Sequence, residues 1–286
     1  MNAISVGRLA AQVIDFGGEA KVIGVTSRGI FLALDRRVLF VSVERWRGPL
    51  TITVDSPLVC ASGDNVRLSP TRLIFPAFEV DLSTADVWQP LTPLIARPLA
   101  DQRDALKQLA SSVLARKTPT GFGVLLLYLL DFSEKQALST NEAALLARLT
   151  QLRESIRQSD FDQAAELIES LLGLGRGLTP SGDDVTIGVL LGLKPWRAQP
   201  STSLRSAQAA FTQCVVESAY QRTTTLSANL IECAANGEAD ERLINVLTGL
   251  ITGQSAVATC TEYVLDWGHS SGVDALIGLA LTLTAV

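Results

Sequence analysis

The chain has 286 residues, of which 47% are apolar and 19% charged, and carries a net charge of −5. That length allows one large domain or two ordinary ones with a sizeable core, while the acidic balance and scattered Lys and Arg argue against a nucleic-acid binder held by a basic face. The single histidine, His269, excludes any site built from several imidazoles.

The opening, MNAISVGRLAAQVIDFGGEAK, has no long apolar run after its arginine and does not read as a signal peptide. AKVIGVTSRGIFLALDRRVLFVSVERW then alternates short β-branched and aromatic runs with turn signals at Ser27-Arg28-Gly29 and Asp35-Arg36-Arg37. PLTITVDSPLVC, NVRLS and RLIFP continue in that style, with a turn at Ser62-Gly63-Asp64-Asn65. Short strands with tight connections predict a small β-barrel or sandwich-like domain over residues 1–97. The proline-rich WQPLTPLIARPL, Trp88 to Leu99, is the expected junction.

Residues 98–286 are predicted to be mainly α-helical, which makes the fold class α+β. DQRDALKQLASSVLAR places Leu106, Leu109, Val113 and Leu114 on one stripe. GFGVLLLYLL (121–130) reads as a buried helix, with too few glycines for a nucleotide loop. STNEAALLARLTQLRESIRQ opens with a capping box, Ser139 with Glu142. SDFDQAAELIESLLGLG is expected to start at a Ser159 cap and stop at Gly173. Further helices fit Leu204 to Tyr220, Leu226 to Ala235, Asp240 to Leu250, Ala256 to Trp267 and Val273 to Thr284. The apolar stretches Leu243 to Thr261 and Ala275 to Val286 are broken or short, so they read as core rather than membrane spans. The cysteines at 60, 214, 233 and 260 have no zinc-site spacing and suit buried reduced thiols in a cytoplasmic protein.

The most unusual text is GLGRGLTPSGDD, Gly173 to Asp184, and its core returns near the end. SGDDVTIG (181–188) and SGVDALIG (271–278) share Ser-Gly-x-Asp-x-x-x-Gly, which suggests an internal pseudo-repeat. Ser181 and Ser271 read as N-caps, with Asp184 and Asp274 at the positive helix ends. Gly188 and Gly192 align on one helix face, with Gly278 and Thr282 offering a similar one. Two helices in close contact, their N-termini opening into one cleft, are the economical picture. Gly188 is then expected to tolerate nothing larger than alanine.

Two readings of the signature compete. In the plain one, Ser181, Asp184, Ser271 and Asp274 are good caps and no more. In the functional one, glycine-rich backbone running into a helix N-terminus makes converging N–H donors for an anion. The binding set is then Gly175, Arg176, Gly177, Thr179, Ser181, Gly182, Ser270, Ser271, Gly272 and Asp274. Asp183 and Asp184 are candidate Mg²⁺ ligands, or acceptors for a substrate amide, and count with His269 as the candidate catalytic residues. Asp183→Asn is accordingly expected to harm binding more than folding, and Ser271→Ala to cost a cap. His269 suits a general acid or base, or a hydrogen bond to a loop carbonyl. Thr223 to Thr225 either line the cleft or supply an N-cap.

GLGRGLTPSGDD followed by GHSSGVDALIG resembles the bacterial AllH family, typified by a subunit associated with oxamate carbamoyltransferase in anaerobic allantoin, hence purine nitrogen, catabolism. Where the family pattern has proline, this chain has Arg176. The resemblance implies a transferase subunit for carbamoyl chemistry, oxalurate and phosphate interconverting with oxamate and carbamoyl phosphate. It implies companion subunits, one similar to the acyl-CoA synthetase class, and a carbamate kinase downstream. A stand-alone Mg²⁺-dependent hydrolase and a non-catalytic scaffold or regulatory subunit remain as alternatives.

Overall fold

The computed structural model describes residues 1–90, 96–116, 121–131, 137–194 and 202–285. Residues 91–95 of the expected junction lie outside the described residues. The chain divides into two compact units, Met1–Leu91 with Glu238–Glu241, and Thr92–Gly237 with Arg242–Val286.

The first unit is built on one nine-stranded sheet. Its strands are β1 (Ala3–Gly7), β2 (Gly18–Thr26), β3 (Gly29–Leu34), β4 (Arg37–Ser42), β5 (Thr51–Val54), β6 (Asn65–Ser69), β7 (Arg72–Ile74), β8 (Glu79–Asp81) and β9 (Asp86–Trp88). They lie in the order β8-β7-β6-β2-β3-β4-β5-β1-β9. A bridge between Asn2 and Asp81 brings β8 round to the start of β1, so the sheet curls back on itself. The turns fall where the sequence signals them. Asp35, in the left-handed region, closes the β3–β4 hairpin, and Gly63 at φ +99 turns the chain into β6. Alternation then sends Val66 and Leu68 inward beside Val22, Leu32, Leu39 and Ile52. The strand pattern hides one helix, α1 (Arg8–Asp15), which buries only Ala10 and Ile14. Arg8 pairs with Glu238 and Arg47 with Glu241, which ties the segment Glu238–Glu241 into this unit.

The second unit is helical: α2 (Leu99–Ala115), α3 (Gly123–Leu129), α4 (Thr140–Gln158), α5 (Phe161–Glu169), α6 (Ser181–Gly192), α7 (Thr202–Arg222), α8 (Thr225–Ala235), α9 (Glu241–Thr252), α10 (Val257–Leu265) and α11 (Ser271–Thr284). On α2, Leu106, Leu109 and Val113 are buried with Ala110, but Leu114 is exposed, because it falls about 100° round from Val113. The Ser139–Glu142 capping box forms in both directions. Ser159 does not cap α5. It ends α4 in the left-handed region, and the Asp160 side chain takes the Gln163 N–H at 3.1 Å. None of the four cysteines is in a disulfide, but Cys233 alone is buried and Cys214 is exposed, so the expectation of four buried thiols fails. Among the described residues no helix is long and apolar enough to cross a membrane.

α6 and α11 are the centre of this unit. Ser181 to Leu191 and Gly272 to Leu283 are buried on every side, as expected of helices apolar all round. α6 packs on α8 and α11, and α11 also meets α3, α4 and α10.

Candidate functional site

Each central helix is preceded by a nine-residue helix and a turn, α5 by way of residues 170–180 and α10 by way of residues 266–270. In the first turn, Gly173, Gly175 and Gly177 all adopt positive φ, a region that other residues enter at a cost. The Gly182 N–H closes this loop on the Leu174 carbonyl at 2.9 Å, and the Gly272 N–H closes the shorter one on Trp267 at 3.1 Å. Neither glycine admits a Cβ, because the Leu171 carbonyl lies against Gly182 and the Val264 carbonyl against Gly272. The two copies therefore share a backbone device as well as a sequence.

The serines are not the caps that the sequence suggests. Pro180 and Ser270 hold the N-cap positions, neither with a side-chain cap bond, and Ser181 and Ser271 are the first helical residues. The Pro180 carbonyl accepts from the Asp183 and Asp184 N–H groups instead. Ser271→Ala is therefore expected to leave the melting temperature nearly unchanged, whereas Ser139→Ala, which breaks a formed capping box, should cost about 1 kcal/mol. Thermal melts of both variants check the contrast.

The central helices run parallel. Gly188 meets Ala275 and Gly278, and further on Gly192 meets Thr282. A Cβ on Gly188 would overlap the Ala275 carbonyl oxygen and stand 2.9 Å from Gly278 Cα, so there is no room even for alanine. Parallel packing puts both helix starts at one end, where Thr179 Oγ1 and Ser271 Oγ lie 3.0 Å apart. The two signatures meet there.

The three acids divide sharply. Asp183 is an anchor. One of its oxygens accepts from the Gly173 N–H at 2.8 Å and the other from the Thr223 hydroxyl. Thr224 caps α8 through the Ser227 N–H, the N-cap role the sequence offered, and donates to the Leu178 carbonyl at 2.7 Å. Asp184 points elsewhere. It is fully buried, and neither of its oxygens has a partner of hydrogen-bond geometry. Burial, with the nearby charges of Asp274 and Asp183, pushes its carboxyl well above the usual range, although the hydroxyls of Ser271 and Thr179 stand beside it.

Asp274 is equally buried. Its Oδ1 accepts from the Phe122 N–H at 2.7 Å, and its Oδ2 has no partner. Burial raises its carboxyl to about 6 despite that hydrogen bond and the neighbouring Ser181 and Ser270. The pattern is crossed: the serine of each signature stands by the acid of the other. Gly121, at φ +54, belongs to the same arrangement, since a Cβ there would fall 2.6 Å from Asp274 Oδ2. Residue-level reading assigned Gly121 and Phe122 only to a core helix; an isolated Gly-Phe-Gly before an apolar run was the available signal.

The raised Asp274 carboxyl has a testable consequence. A buried acid that binds its proton more tightly when folded favours folding most at low pH, and that contribution is lost as pH rises from about 4 to about 6. The loss amounts to about 3 kcal/mol. Asp274→Asn removes the linkage and keeps an acceptor for Phe122. Its melting temperature relative to the parent chain should therefore climb between pH 4 and pH 7, and melts across that range check the sign.

Gly175, Arg176, Gly177, His269 and the Leu178 side chain are exposed at the rim. Among the described residues, no group accepts the N–H groups of Gly175, Arg176, Gly177, Leu178 or Thr179. No set of three or more His, Cys, Asp or Glu side chains is placed to hold a metal ion among the described residues, and both Asp183 oxygens are already engaged. Of the Asp183–Asp184 pair read as possible Mg²⁺ ligands, only Asp184 keeps carboxyl oxygens without a partner.

Residues 171–283 match the family model of the oxamate carbamoyltransferase subunit AllH. The AllH match begins at Leu171, against whose carbonyl Gly182 packs, and ends within α11. It thus takes in both signature copies and leaves the curled sheet outside. No curated protein and no solved structure matches the chain.

Proposed function

We propose that this chain is a cytoplasmic subunit of an oxamate carbamoyltransferase-like system, working with companion subunits. It holds a small carboxylated or phosphorylated carbamoyl metabolite at the paired starts of α6 and α11. The reaction served is the exchange of oxalurate and phosphate for oxamate and carbamoyl phosphate. The observation that carries this reading is the meeting of the two signature loops at Thr179 and Ser271, beside backbone donors that no group among the described residues accepts.

In this reading the N–H groups around Gly175, Gly177 and Thr179 take the anionic end of the ligand. Arg176 adds charge from the rim, and Ser270 and Ser271 close the other side. Gly182 and Gly272 shape the two loops. Asp184 and His269 are the groups available to handle protons, and Asp183 holds the first loop in place. Calorimetric titration of the purified chain with oxamate, carbamoyl phosphate and inorganic phosphate tests this. Saturable binding of oxamate or carbamoyl phosphate at millimolar Kd or tighter, an order of about 4 kcal/mol, is the expected result. A folded chain that takes up none of these ligands would overturn the reading.

A further inference from the structure

Asp184 and Asp274 share a burial that helix capping does not explain. Both are fully buried, and Asp184 Oδ1, Asp184 Oδ2 and Asp274 Oδ2 have no partner. Hydroxyls of Ser271 and Thr179 stand by Asp184 and those of Ser181 and Ser270 by Asp274, yet none completes a bond of hydrogen-bond geometry to these three oxygens, an arrangement that costs stability and persists where something else supplies the donor. The cap positions belong to Pro180 and Ser270, so the acids are not needed there. The charges acting on Asp184 are those of Asp274 and Asp183, both negative, so no neighbouring cation answers it.

We infer that Asp184 and Asp274 form one recognition unit for the –CO–NH₂ end of the ligand, the amide hydrogens bonding to their unpartnered oxygens. This rests on the proposed binding of a carbamoyl metabolite at the joined loops and assigns the part of the ligand that the loop donors cannot read. The fit is chemical. A carbamoyl group presents two N–H donors, and the three unpartnered carboxyl oxygens present acceptors for them. The crossed serines, Ser181 by Asp274 and Ser271 by Asp184, orient the carboxyls from opposite signatures. Phe122 holds Asp274 through its remaining oxygen, so Asp274 Oδ2 and both oxygens of Asp184 are left for the ligand.

Oxamate and pyruvate separate this inference from the reading beneath it. They are anions of closely similar size, differing by –NH₂ against –CH₃. Titrated into the intact chain at neutral pH with EDTA present, oxamate should bind at least tenfold more tightly than pyruvate, because a site built around an N–H donor rejects an analogue that lacks it. Asp184→Leu, checked for folding by its melting curve, should bring the two affinities within about threefold by weakening oxamate. Equal binding of oxamate and pyruvate would sink the carboxyl-pair assignment while the anion site stood. Binding of neither would sink both. A preference for oxamate that survives in folded Asp184→Leu, or that appears only when Mg²⁺ replaces EDTA, would also overturn it.

Discussion

Gly188→Ala is expected to lower the stability of the helical unit by about 3 kcal/mol or more, the upper range for overpacking. For a unit of this size that is a fall in melting temperature of roughly 6–12 °C. The added methyl would press on backbone, the Ala275 carbonyl and Gly278 Cα, and backbone cannot rotate out of the way as a side-chain end can. Relief requires α6 and α11 to separate. Because Thr179 and Ser271 ride on the starts of those helices, separation should also weaken ligand binding although Gly188 lies one turn below the site. Gly278→Ala should behave alike, since its Cβ would stand 2.6 Å from the Val189 nitrogen. Thermal melts beside oxamate titrations measure both effects. A Gly188→Ala chain that melts and binds as the parent does would mean that the two helices do not pack through their glycines.

Asp183→Ala should be the most damaging change among the signature acids. It strands the Gly173 N–H and the Thr223 hydroxyl, which both point at the buried carboxyl. Hydrogen bonds to a charged acceptor contribute about 1.5–3 kcal/mol each, so a loss of about 3–6 kcal/mol is expected. Asp183→Asn should cost less, since the amide keeps one acceptor but turns a donor toward the other partner. Both changes should appear chiefly as lower melting temperatures, with ligand affinity falling only as the first loop loosens. That is the reverse of what two adjacent acids suggest when read as a metal or substrate pair. Denaturant melts with oxamate titrations of the folded fraction distinguish the cases; unchanged stability with abolished binding would return Asp183 to the ligand.

Much of the architecture was legible from local pattern. Period-two alternation in NVRLS, the Ser139–Glu142 box and the apolar runs of the two signature helices each depend on neighbours in sequence, and each formed as expected. Helix α1 escaped because its Arg8–Asp15 stretch is short and buries only two side chains within a strand-rich region. The Ser159 cap was misassigned by one residue because Ser159 and Asp160 are both competent caps, and only the left-handed turn at Ser159 chooses between them.

The repeat itself, Ser-Gly-x-Asp-x-x-x-Gly at 181–188 and 271–278, was set out by the sequence alone, and so was the demand for small residues at Gly188 and Gly278. A spacing of four marks a helix face whatever lies opposite it. What that face touches is a property of another part of the chain. Only the tertiary structure decided that the two copies pack on each other in parallel, that Asp183 turns back to Gly173 and Thr223, and that both oxygens of Asp184 and Oδ2 of Asp274 are left buried without a hydrogen-bond partner. Adjacent residues on a helix point about 100° apart. Two neighbouring aspartates therefore meet different surroundings, and their chemistry was decided by which distant segments those directions reach.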